Sequence, residues 1–173
     1  LEDASHSIGA TRNREPVGSC RWSDVTIFSF HPVKIITTGE GGMALTNNKK
    51  LAEQMAMLRS HGITRKQSQF KNKTEAEIAP YYYEQQELGF NYRMTDIQAV
   101  LGISQLKRLD EYIKRRNILA KRYNDQLKNL PIQLPTILPE NLSAFHLYVV
   151  RLHTDATKKA HLQIFNELRE AGI

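Results

Sequence analysis

Residues Asp24-Val25-Thr26-Ile27-Phe28-Ser29-Phe30 are rich in β-branched and aromatic side chains, and the run stops at His31-Pro32. Such a run predicts a buried strand, and a proline directly behind it ends the ladder. Gly39-Glu40-Gly41-Gly42 then predicts a turn, and 42–46 (Gly-Met-Ala-Leu-Thr) a second, short strand. Lys34 stands between the two, framed by Pro32 and the glycine run. A lysine held at a strand end can lose solvation and charge, and a neutral amine is a nucleophile toward carbonyls.

The remainder of the chain alternates helical and extended patterns. Asn47-Asn48 opens a helix with Leu51, Met55 and Leu58 at helical spacing. From Arg59 to Leu88 the pattern dissolves into a polar segment with Pro80 and Tyr81-Tyr82-Tyr83; a loop of that length is usually functional or disordered. Thr95-Asp96 caps one long helix, with Ala99, Leu106, Leu109, Ile113, Ala120, Tyr123 and Leu127 on a single stripe. Pro131 and Pro135 end it. Residues 145–152 predict a strand and 156–169 an amphipathic helix. The expected fold class is α/β: residues 1–130 form part of a large layered domain and residues 131–173 begin a smaller α+β domain.

Composition bounds the function. The chain has 173 residues and a net charge of +6, which attracts polyanions, although a solvated basic surface is the simpler reading. Lys107, Arg108, Lys114, Arg115, Arg116, Lys121 and Arg122 on the long helix frame a competing reading, a basic nucleic-acid-binding module. The regular apolar stripe argues instead for packing, with the charges solvated. Cys20 is the only cysteine, so an internal disulfide and a cysteine metal cluster are excluded and a reducing cytoplasm is expected. No apolar run approaches the roughly 18 residues of a membrane span, so no membrane partner is expected. No signal peptide is visible, and both ends read as cuts through a longer protein.

Several side chains suit one chemistry. A carboxylate opposite a pyridine nitrogen keeps that nitrogen protonated and makes the ring an electron sink, a role open to Asp3. Lysine plus aspartate therefore points to pyridoxal phosphate (PLP). Ser29 offers a hydroxyl to the cofactor phosphate, or is a satisfied strand-end serine. His6 either contacts the ring's phenolic oxygen or is a core histidine. Asn91, just before the helix cap, can reach a phosphate while serving helix entry. His31 is a candidate pocket residue. His146 either faces a substrate or is a buried, hydrogen-bonded histidine. His61, before Gly62, reads as part of a helix end. No spacing of His153 and His161 suggests a metal site, and none is expected.

Glu2-Asp3-Ala4-Ser5-His6, Phe28-Ser29-Phe30-His31-Pro32-Val33-Lys34, Glu40-Gly41-Gly42, Arg59-Ser60-His61-Gly62 and Gly89-Phe90-Asn91-Tyr92-Arg93-Met94 occur in that order. Together they resemble the DegT/DnrJ/EryC1/StrS sugar aminotransferases, PLP enzymes of fold type I. The resemblance implies that Lys34 binds PLP covalently and shuttles the proton, that Asp3 pairs with the pyridine nitrogen, and that His6 contacts the ring oxygen. It implies that Ser29 binds the cofactor phosphate and that Asn91 binds the phosphate of a partner subunit's cofactor, in a homodimer with shared sites. Arg93, with His31 and His146, is placed toward a nucleotide-linked keto sugar, and glutamate is the expected amino donor. Related dehydratases of this fold carry histidine in place of the lysine, so Lys34 favours amination. Family members are about twice as long, so this chain carries about half of a cofactor pocket, and a fragment inactive by itself is the alternative reading.

Overall fold

The computed structural model describes residues 1–71 and 79–173. Its centre is a three-stranded sheet in which β4 (Thr26–Ser29) lies between β1 (Glu2–Asp3) and β5 (Gly42–Leu45). β1 runs parallel to β4 and β5 runs antiparallel to it. The strand expected over 24–30 thus narrows to its four middle residues. The link from β1 to β4 contains no helix but a tight hairpin, β2 (Thr11–Arg12) and β3 (Glu15–Pro16). Its two turn residues, Asn13 and Arg14, have φ of 49° and 65°, the pair of positive values that a two-residue hairpin turn requires.

Alternation along β4 sends Thr26 and Phe28 into the core and leaves Ile27 and Ser29 on the other, half-buried face. Phe28, Phe30, Ala4, Ile35 and Ile36 pack with Ile113 and Ala144 from later in the chain.

Asn48 caps α1 (Lys49–Leu58), its side chain accepting from the amides of Lys50 and Leu51. Past the helix, His61 takes φ 62° and the Gly62 amide donates back to Met57 O at 2.9 Å. Among its described residues, the segment expected to be patternless contains a strand pair, β6 (Ile63–Thr64) with β7 (Glu84–Gln85), and a 3-10 turn at Gln67–Gln69. These strands are two residues long, too short for alternation to reveal them.

The long helix is two helices, α2 (Asp96–Leu106) and α3 (Leu109–Leu127). Thr95 and Gln98 form a reciprocal capping box at the start of α2. At Arg108 the backbone turns to φ −107°, ψ 5°, and Asp110 and Glu111 then sit in the first turn of α3, where carboxylates favour a new helix start.

The strand expected over 145–152 is reduced to β9 (Arg151–Leu152), paired with β8 (Ile132–Gln133). Phe145 has φ 44°, and the carbonyls of Phe145 and His146 are bonded to Arg116, so no ladder forms there. The last expected helix is broken at Lys158 (φ 53°) into α4 (Thr154–Thr157) and α5 (His161–Glu170). Between β8 and β9 the chain returns to the main sheet unit: Leu142 bridges Thr11 and Ala144 is 2% exposed. Among the described residues no helix is long and apolar enough to cross a membrane.

Candidate active site

The turn after β4 is tied at both ends. Phe30 donates its amide to Gly41 O (2.8 Å), and its carbonyl accepts from Thr38 N (3.1 Å) and Thr37 Oγ1 (2.8 Å). Inside this loop the Lys34 amide donates to His31 O at 2.9 Å, and Ile35 and Ile36, next in sequence, are buried. The lysine therefore projects from a fixed backbone. Its side chain is half-buried, and among the described residues no hydrogen bond or ion pair engages its ammonium.

Register places Asp3 beside Ile27, on the face that also carries Ser29. One Asp3 oxygen accepts from Ser5 Oγ (2.6 Å) and from the Ser5 amide (3.0 Å). These two bonds hold the carboxyl below its ordinary range, and the charges of His6 and Lys34 add to the effect. His6 packs on His146 with ring centroids 4.4 Å apart and planes tilted by 52°. Burial pushes the His146 ring toward its neutral form, aided by the positive potential of His6, Lys34 and Arg116. Its Nδ1 is buried without a hydrogen-bond partner among the described residues. Asp3 and His6 from the start of the chain, Lys34 after β4 and His146 from the C-terminal part thus act on one another electrostatically in one region.

The other candidates stand differently. Ser29 Oγ is half-buried and accepts a long bond, 3.5 Å, from the His31 amide. The His31 ring is exposed and lies 3.8 Å from Glu40 Oε1. Asn91 is exposed and forms an antiparallel bridge with Ser60, just past α1. Arg93 lines a separate cavity of about 450 Å³ with Ser60, His61, Ile63, Arg65 and Tyr83. Of these four, Asn91 and Arg93 stand beside the end of α1, so one chain presents two groups of candidate residues rather than one.

A groove of about 550 Å³ runs beside Lys34, between its turn and α3, and Tyr112, Arg115 and Arg116 line its helix side. The helix cations are therefore not all solvated, as their sequence pattern suggested. Arg116 is bonded to two carbonyls, Arg115 faces the groove and Arg108 lies 5.5 Å over the Tyr112 ring. Arg116 is the site-building residue that the pattern of charges hid. The available signal was its position three residues after Ile113 and four before Ala120, on the buried side of α3. Among the described residues no three His, Cys, Asp or Glu side chains converge as metal ligands.

The assembled groups suit a pyridine aldehyde with a phosphate. Such a group asks for an amine to condense with, an anionic carboxylate for its ring nitrogen, and donors for its hydroxyl and phosphate oxygens. Lys34, the low-pKa Asp3, His6 and Ser29 would supply that set, and the His146 nitrogen without a partner among the described residues marks a polar spot beside them.

Comparison with known proteins agrees with this chemistry. The chain is 36% identical to the UDP-4-amino-4,6-dideoxy-N-acetyl-beta-L-altrosamine transaminase of Campylobacter jejuni, over all of this chain and 42% of that protein. It is similar in structure to Helicobacter pylori PseC, an aminotransferase involved in the biosynthesis of pseudoaminic acid, with TM-score 0.83 and 31% identity over 99% of this chain and 42% of that one. The PLP form of the putative sugar aminotransferase Spr1654 from Streptococcus pneumoniae matches with TM-score 0.80 and 29% identity, over 99% of this chain and 41% of that one. The chain thus spans 38–44% of the length of the curated relatives it matches. Its layers are part of the α/β domain of PLP-dependent fold type I transferases. The sequence profile of the DegT/DnrJ/EryC1/StrS aminotransferase family matches residues 1–173, and the chain belongs to that family.

Proposed function

We propose that this chain carries one part of the active site of a PLP-dependent aminotransferase that moves an amino group from glutamate to a nucleotide-linked keto sugar, for surface polysaccharide or glycan biosynthesis in the cytoplasm. The observation that carries the reading is the convergence of Lys34 with an ionised Asp3 and the His6–His146 pair. When bound, the cofactor supplies an electron sink for the carbon that loses or gains a proton. Asp3 holds the proton on the ring nitrogen. Lys34 would hold the cofactor through its amine, and its Nζ, tethered beside the reacting carbon, would serve as the group that takes up and returns the proton. Ser29 and His6 orient the phosphate and the ring hydroxyl, and His146 and His31 face the sugar.

The second group, Asn91 and Arg93, serves the site of a partner subunit in a homodimer. Asn91 binds the partner's cofactor phosphate, and the cavity with Arg65 and Arg93 gives the nucleotide's phosphates cationic walls. A domain boundary near Pro131 separates this large-domain part from the smaller unit that follows. The supports are the family, the transaminase named among its relatives, and the lysine where related dehydratases carry histidine. The test is an assay of the full-length protein with glutamate and a panel of UDP- and dTDP-keto sugars. An amino sugar forms with wild type and not with Lys34→Ala; equal product from both sinks the reading.

A further inference from the structure

Arg116 lies on the buried side of α3, between Ile113 and Ala120. Its Nη1 donates to the carbonyl oxygens of Phe145 (2.9 Å) and His146 (3.3 Å). Asn117 adds a second tie, donating to Ser143 O at 3.0 Å. Between these anchors Phe145 takes φ 44°, a left-handed backbone that a bulky residue adopts only where its surroundings impose it. No strand ladder supports residues 145–150, so α3 is what fixes them.

The residue this brace delivers is His146. Three charged groups act on its ring: His6 from the loop after β1, in ring contact, and through their positive potential Lys34 from the turn after β4 and Arg116 from α3. All three are positive when protonated, and together with burial they keep the imidazole uncharged. A neutral imidazole carries one proton. Its Nδ1 is enclosed without a hydrogen-bond partner among the described residues, and the neutral ring keeps one N–H to donate.

We propose that Arg116 is a positioning residue of this site: by clamping the carbonyls of Phe145 and His146 it holds the His146 ring on His6, where its N–H serves as a neutral donor to a sugar oxygen of the substrate. The identity of that acceptor rests on the aminotransferase reading; the brace itself does not. Neutral donors of this kind orient a hydroxyl or carbonyl oxygen without adding another cation beside Lys34, whose amine must lose its proton to act.

The test uses the full-length protein with Arg116→Gln, His146→Gln and the double variant, and Arg116→Lys as the conservative change. Arg116→Gln and His146→Gln each raise KM for the keto sugar about tenfold, the scale of one hydrogen bond lost in the complex. The double variant is no worse than His146→Gln alone, because Arg116 acts through His146. Arg116→Lys recovers part of the loss. By nitrogen NMR, Arg116→Gln raises the titration of His146 toward the ordinary value of 6.5. Additive KM effects, or an unchanged His146 titration in Arg116→Gln, overturn the proposal. Should Arg116→Gln fail to fold, Arg116→Lys in the wild-type and His146→Gln backgrounds makes the same comparison. If wild type aminates no keto sugar, the functional reading fails, while the titration still decides the brace.

Discussion

His146 carries a pH dependence that its position imposes. Its ring titrates below the ordinary 6.5 because burial and positive neighbours disfavour the charged form, so the folded state binds fewer protons than the unfolded one. The stabilising contribution is present in full above that ordinary value. It falls as pH drops below 6.5, where the unfolded histidine charges first, until the folded pKa is passed. His146→Gln removes this term. The urea midpoint of the full-length protein, compared between about pH 8 and about pH 5.5, drops less in the variant than in wild type. An identical drop in both contradicts the assignment. The residue scale also marks a limit of the sequence. Lys34 and Asp3 were legible because proline, glycine and strand ends are local signals. The partnership of His6 with His146 was not, since nothing local in either segment encodes a contact made by the return of residues 142–146 to the sheet.

At the scale of elements, termini were read better than interiors. Asn48 and Thr95 start α1 and α2 through side-chain to backbone bonds, which are short-range and printed in the sequence. A tertiary tie, Gln105 accepting from the Thr37 amide, lies just before the break at Arg108, and the loss of the 145–150 strand comes from Arg116 holding the carbonyls a ladder needs. Gly62 tests the local logic at the end of α1. Its φ is 65°, and a Cβ there would collide with the Glu87 carbonyl oxygen. Gly62→Ala therefore destabilises the protein by more than ~1 kcal/mol, because both backbone strain and displacement of the Glu87 strand end are involved. Thermal or denaturant unfolding of the full-length protein measures it; no loss of stability contradicts the close approach of these two segments.

For the whole molecule, the informative fact is that the candidate residues fall into two groups. Lys34, Asp3, His6 and His146 gather at the sheet, while Asn91 and Arg93 stand beside the end of α1 with Ser60, His61 and Arg65. Shared sites in a symmetric homodimer make sense of both. In that case Lys34→Ala and Asn91→Ala proteins, each impaired alone, complement one another when mixed and reassembled. Statistical pairing restores one intact site in each mixed dimer, about a quarter of wild-type activity. No recovery places both groups in a single subunit's site. The sequence held the members of each group but not the grouping, which depends on where the fold carries the α1 end.

The central claim is that the Lys34 amine is the covalent anchor. Borohydride reduction of the full-length protein loaded with pyridoxal phosphate, followed by peptide mass mapping, tests it most directly. The account predicts a stable pyridoxyl adduct on Lys34 that is absent in Lys34→Ala. An adduct on another lysine, with Lys34 unmodified, contradicts it.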